Sequence, residues 1–216
     1  MVGWPKKETK SSGVETPPDP VVFLVHAAAL QLVYFEALAD ACRRSSESVR
    51  KNRLADAATL VLRRREQVAA ELRGLGADPG VTFLLADEWL SRVQRISDLD
   101  DECERLLGVY VVQGIIDDAL LECAVAMPGD SGARMREVLA VSSASVVIEA
   151  ELQAVLAEHP ERKNRCALWG RSLVGDALLI VRSLRGAVSA PDATVQGFTH
   201  VITRHSQRMD ALGLTA

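Results

Sequence analysis

Residues 54–75, Leu54-Ala55-Asp56-Ala57-Ala58-Thr59-Leu60-Val61-Leu62-Arg63-Arg64-Arg65-Glu66-Gln67-Val68-Ala69-Ala70-Glu71-Leu72-Arg73-Gly74-Leu75, place apolar side chains at Leu54, Ala57, Val61, Val68, Leu72 and Leu75. That spacing is helical, and position 64 lies on the same face between Val61 and Val68. Its occupant is an arginine, so a permanent charge stands on an inward stripe. An arginine at a bundle edge ordinarily buries its stem and leads its guanidinium back to water; one held inside needs a partner. Neighbouring segments carry Gln31, Gln113 and Asp117 on their own apolar faces, so these side chains and Arg64 are candidates to meet in one interior.

Outward from this stretch the pattern stays helical, with little strict alternation and widely spaced turn residues. A first helix is predicted over Val21–Arg44, with Asp19 as its cap and Pro20 in its first turn. The second covers Glu47–Leu75 and closes at Gly76, ahead of the breaker run Gly76-Ala77-Asp78-Pro79-Gly80. A shorter third is predicted over Val81–Ile96, packing Phe83, Leu84, Trp89 and Val93. Asp98 reads as the cap of a fourth that reaches Ala126, where Pro128-Gly129-Asp130 follows; Asp100, Asp101 and Glu102 suit the dipole of its first turn. A fifth is expected over Ser131–Glu158, with Val138, Val141, Ala144 or Ser145, Ile148, Leu152 and Val155 inward, ending before Pro160. Arg162–Leu184 and Ala193–Leu212 complete the set. The expected architecture is all-α: a bundle of four long helices with additional shorter ones. The expected organisation is a disordered tail over 1–20, rich in Lys, Ser and Pro, followed by one helical domain over 21–214.

Composition fits one globular domain: 216 residues, 48% hydrophobic and 25% charged. A net charge of -4 argues against a general nucleic-acid binder, which would carry a basic face. Cys42, Cys103, Cys123 and Cys166 are far apart with no Cys-x-x-Cys, which suits reduced thiols packed as small hydrophobes. The apolar run Val21–Phe35 is short for a membrane span and holds His26 and Gln31. Glu15, Asp19 and three prolines separate it from the basic start, unlike a secretory signal. A cytoplasmic location and no membrane association are expected.

Helical bundles build metal sites from facing helices, so the ligand patterns deserve a direct test. A di-iron carboxylate site uses Glu-x-x-His pairs, whose spacing puts both ligands on one face. The residues three before His26, His159, His200 and His205 are Phe23, Leu156, Gly197 and Ile202, so the pattern is missing. No Cys/His cluster has zinc spacing, no Gly-x-Ser-x-Gly occurs, and Gly170-Arg171-Ser172-Leu173-Val174-Gly175 lacks the lysine of a phosphate loop.

The string Ala167-Leu168-Trp169-Gly170-Arg171-Ser172-Leu173-Val174-Gly175-Asp176-Ala177-Leu178, with Leu75–Pro79, Gly114-Ile115 and Arg208–Leu214, resembles an actinobacterial group of ferritin-like proteins. That group is similar to the non-haem di-iron tRNA hydroxylases that modify a hypermodified adenosine. The resemblance spans Val21 to Leu214 and implies a ferritin-like four-helix bundle with extra helices; it does not imply that this member holds iron. Carried onto this chain, the second-helix Glu-x-x-His falls on Val61 and Arg64. The first-helix Glu falls on Gln31, and the last acidic-and-His pair falls on Val141 and Ala144. Near Gly114 the acidic residues are Asp117, Asp118 and Glu122, with Gln113 where related sequences often carry a carboxylate. The resemblance leaves open which of these corresponds to a ligand.

Gln, Val, Arg and Ala coordinate iron poorly, and a guanidinium repels it. The expectation is therefore a former metal chamber with no cofactor, in which Arg64 pairs with Asp117 or Asp118 beside Gln31 and Gln113. A non-catalytic binding or regulatory module follows; the alternative is a di-iron hydroxylase with an unusual ligand set. The basic cluster Arg43, Arg44, Arg50, Lys51 and Arg53 offers a surface for a protein or RNA partner, although a charge run is usually a solvated face. Homodimer pairing through a helix face is a compatible assembly.

Overall fold

A computed structural model describes residues 19–80, 91, 93, 101–127, 129–140, 144–188 and 196–215, with side chains over 183–199 outside that description. Every long regular element among them is an α-helix: α1 (Pro20–Arg44), α2 (Ser48–Gly74), α3 (Glu102–Ala126), α4 (Gly129–Ala140), α5 (Ala144–Glu158), α6 (Lys163–Val188) and α7 (Gln196–Ala211). A 3-10 turn, Pro160–Arg162, leads into α6. Residues 1–18 of the tail expected over 1–20, and most of the predicted third helix, lie outside the described residues, while Asp19 and Pro20 form the cap and first residue of α1.

Local chemistry explains the boundaries. Asp19 caps α1, its Oδ1 accepting from the backbone N–H of Val21 at 2.8 Å and of Val22 at 3.2 Å, and Pro20 takes the first turn, where its missing N–H costs nothing. α2 ends at a left-handed Gly76 with φ of 77°, and the Ala77 N–H returns to the Leu72 carbonyl at 3.0 Å. The cap of α3 is Asp101, which accepts from the Glu104 N–H at 3.0 Å. The predicted cap, Asp98, lies outside the described residues; among several neighbouring aspartates, spacing alone could not pick the one with extended backbone. The single fifth helix expected over Ser131–Glu158 is described as α4 and α5, with residues 141–143 between them outside the description.

Helix directions follow from side-chain pairs. Across the α1–α2 turn, the Cys42 thiol donates to the Lys51 carbonyl at 3.4 Å, so the two helices double back on each other. Arg53 bonds Glu151 at 2.7 Å and Arg134 bonds Glu71 at 2.6 Å, so α2 runs antiparallel to α4 and α5. Asp40 near the end of α1 feels Arg105 near the start of α3, while Tyr34 feels Asp117, so α1 and α3 are also antiparallel. α2 and α3 are thus parallel, which requires one long crossover between Gly74 and Glu102. Packing contacts close the ring in the order α1, α2, α5, α3. Helices α6 and α7 cover the outer side of α3.

The core is one cluster drawing on every helix, with α3 at its centre: an unbroken run from Leu106 to Ile116 is buried. Leu54, Ala57, Val61, Val68 and Leu72 of α2 are inward as predicted. Leu75 is not; it is 41% exposed because it stands beyond the last helical turn, at the C-cap. Two stretches, Pro20–Arg44 and Gly129–Glu158, are long and apolar enough by composition to cross a membrane, but the most apolar part of the first is 72% buried within the protein, as in a core helix.

The α3–α4 corner is tight. A Cβ on Gly132 would stand 2.5 Å from the Ala124 carbonyl oxygen and 3.1 Å from Met127 Cβ, and the backbone there cannot swing aside. Helix propensity alone favours Gly132→Ala by about 1 kcal/mol. Overpacking is expected to reverse that sign and cost about 1–3 kcal/mol, read as a lower urea midpoint; a higher midpoint would show that the corner relaxes.

Candidate functional site

Arg64 is on the bundle-facing side of α2, one turn after Val61, and is 6% exposed. Its Nη1 donates to Asp117 Oδ2 of α3 at 2.6 Å, and its Nη2 donates to the Leu139 carbonyl near the end of α4 at 3.2 Å. One guanidinium therefore ties three helices. The planar fork of arginine suits this, because its N–H groups diverge in a fixed geometry toward two different acceptors.

Asp117 is the partner the carboxylate expectation required, and its side chain is 16% exposed. Burial pushes its carboxyl above the usual range, Arg64 pulls it down by charge and hydrogen bond, and Asp118 beside it pushes it up; burial wins. Asp118 points elsewhere. It accepts from Arg204 of α7 at 2.8 Å and from Arg208 of α7, on the outer side of α3. Consecutive residues on a helix are about 100° apart, which is why adjacent aspartates serve different neighbours.

Other predicted residues gather around the pair. Gln31 and Gln113 are each 1% exposed. Gln31 is one turn before Tyr34 on α1, and Gln113 is one turn before Asp117 on α3, so each shares the face of a residue in this layer. Tyr34 was missed by the sequence reading, because a tyrosine on an apolar face looks like ordinary core. Burial first and the Asp117 charge second push its phenol well above the ordinary value, with Arg64 opposing. The side-chain polar atoms of Gln31 and Gln113, the Tyr34 hydroxyl and Asp117 Oδ1 find no hydrogen-bond partner among the described residues. Val61 and Ala144 are 2% and 1% exposed and come level with each other in the α2–α5 register. Val141 lies outside the described residues.

These residues do not fit a di-iron centre. They offer one carboxylate with an oxygen already bonded to a cation, two neutral carboxamides and aliphatic side chains, while two irons need several anionic or imidazole donors. Among the described residues no three of His, Cys, Asp and Glu come together as a metal-holding group. The histidines do not compensate. His26 is bonded through Nδ1 to the Val22 carbonyl at 2.6 Å, and both His26 and His205 are pushed toward the neutral form by burial.

The arginines of the basic cluster are compensated where they stand. Asp40 takes Arg43 at 2.5 Å and Arg44 at 2.7 Å. Arg50 faces Glu47 at 3.4 Å, Glu151 at 3.4 Å, Glu158 at 3.7 Å and Glu102 at 3.9 Å. Glu151, at 1% exposure, is a buried carboxyl clamped by Arg50 and Arg53, and in the sequence it reads only as a lone Glu on an apolar face.

Four main helices in ring order with a long crossover between the parallel second and third define a ferritin-like bundle. The chain belongs to the family described as ferritin-like domain, actinomycetes, whose model matches residues 19–191, most of its length. Among curated proteins, none matches the sequence.

Removing one member of a buried pair strands the other. Arg64→Met is expected to cost about 3–5 kcal/mol at neutral pH, and Arg64→Met/Asp117→Leu to recover most of that loss. Without Arg64 the Asp117 carboxyl rises further above its unfolded value, so its penalty exists above the unfolded value and fades as pH falls through the folded one. Urea melts at pH 7 and pH 5 check this; an Arg64→Met penalty independent of pH would mean that Asp117 is not the stranded group.

Proposed function

We propose that this protein uses the ferritin-like scaffold without a di-iron site, as a non-catalytic binding or regulatory module. The single observation that carries the reading is the Arg64 guanidinium bonded to Asp117 and the Leu139 carbonyl inside the bundle. A cation fixed there raises the cost of bringing in two metal ions. Gln31, Val61 and Ala144, which the likeness to the tRNA hydroxylases aligns with ligands, supply no carboxylate or imidazole to offset it. In this reading Arg64 replaces a ligand histidine, and the chamber has become a structural joint.

Recognition then falls to the outer faces. A protein partner is favoured over RNA, because the basic cluster spends its charge on Asp40, Glu47, Glu102, Glu151 and Glu158 rather than presenting it to phosphates. The sequence as a whole is acidic, which points the same way.

Protein produced in iron-supplemented cells is expected to hold below about 0.1 iron per chain by elemental analysis, as this donor set dictates. Two irons per chain with an oxo-bridge absorption band would overturn the reading. In parallel, affinity for a tRNA transcript is expected to be no tighter than weak non-specific binding at physiological salt, roughly 10⁻⁴–10⁻⁶ M. Tight binding that weakens steeply as salt rises would assign the module to RNA instead.

A further inference from the structure

Cys103 and Cys166 are 63 positions apart in the chain, yet their Sγ atoms stand 3.3 Å apart, one in the first turn of α3 and the other in the first turn of α6. They are 0% and 1% exposed. The same joint is held by Trp169, whose indole N–H donates to the Glu104 carbonyl at 3.2 Å, and by Arg165, bonded to Asp101 at 2.8 Å and to Glu104 at 2.5 Å. Two helices locked this closely keep the thiols in register. A disulfide needs the sulfurs only about 1.3 Å closer, within reach of side-chain rotation.

We infer that Cys103 and Cys166 are an oxidation site, a thiol pair that a small hydroperoxide converts to a reversible disulfide stapling α3 to α6. The two sulfurs have different roles. Either thiol can donate to the other; with Cys103 as donor the bond favours the thiolate at Cys166 and holds Cys103 protonated, outweighing burial and the Asp101 and Glu104 carboxylates, which oppose the thiolate, while Arg165 supports it. Cys166 Sγ attacks one oxygen of the hydroperoxide, the O–O bond breaks, and an alcohol, or water from hydrogen peroxide, departs. Cys166 is then a sulfenic acid. Cys103 Sγ attacks Cys166 Sγ, the S–O bond breaks, and water leaves with the Cys103 proton. Two thiols have lost two protons and two electrons, which the hydroperoxide takes up to become an alcohol and water. Burial selects a small oxidant, since a bulky disulfide cannot line up with a sulfur enclosed by two helices.

The full chain, reduced and desalted, is treated with hydrogen peroxide, alkylated without reductant and mapped by mass spectrometry. The expected product is a peptide containing Cys103 linked to one containing Cys166, lost again on reduction. Closing so long a loop is expected to raise Tm by about 10 °C. In Cys103→Ser the Cys166 sulfenic acid accumulates and is trapped by dimedone; in Cys166→Ser, Cys103 remains an alkylatable thiol. Linkage between other cysteines, or Cys103 and Cys166 both still alkylatable after Cys42 has been oxidised, would overturn the inference. The wild-type map decides this even where a serine variant does not fold.

Discussion

A charge buried among packed helices has to be neutralised where it stands, and the bond from Arg64 to Asp117 does this in the chamber between α2, α3 and α4. Its effect goes beyond two residues, because Arg64 also holds the Leu139 carbonyl and so fixes α2, α3 and α4 against one another. Apolar packing is permissive about small rotations of a helix. A bonded guanidinium is not, since turning α2 by even part of a turn would strand a charge on each side. The pair adds little net stability relative to an apolar equivalent. Its contribution is to select one register among several that would bury similar apolar area.

α3 is the element on which this selection converges. Its N-terminal end packs on α6 through Cys103 and Trp169, and its middle carries Asp117 into the bundle and Asp118 out to Arg204 and Arg208 of α7. Gly114 belongs to the same arrangement: a Cβ there would run into the Arg208 side chain, so the absence of one lets the guanidinium lie across α3 and reach Asp118. The appended helices are therefore not decoration on a finished bundle. They meet the polar groups that α3 turns outward.

The helices were legible because apolar residues at helical spacing and capping groups are local signals: Asp19, Pro20 and Gly76 each announce a helix end through backbone chemistry confined to a few residues. Arg64 was legible for the same reason, as a charge interrupting a periodic stripe. Its partner was narrowed only to Asp117 or Asp118, because the choice depends on how α3 is rotated against α2, and no local pattern records that. Tyr34, Glu151, Arg208 and the Cys103–Cys166 pair were hidden for a related reason. Each has an ordinary local context, and its meaning comes from a residue far away in the chain. The basic cluster shows the same limit from the other side, since a run of like charges in sequence faces carboxylates from α1, α3 and α5 in space.

A ferritin-like interior that binds two metal ions must concentrate negative charge in the middle of a bundle, and such carboxylates repel one another until the metal arrives. A chamber that holds one arginine paired with one aspartate needs no ion to be complete. The two solutions exclude each other at the same place: added carboxylates would draw Arg64 away from Asp117, and Arg64 would occupy the coordination those carboxylates offered. The side-chain polar atoms of Gln31 and Gln113 and the Tyr34 hydroxyl find no hydrogen-bond partner among the described residues. Buried groups of that kind cost about 1–3 kcal/mol each. A guanidinium bonded to Asp117 and to the Leu139 carbonyl therefore fixes both the charge and the register of the chamber, with no further ion needed to complete it.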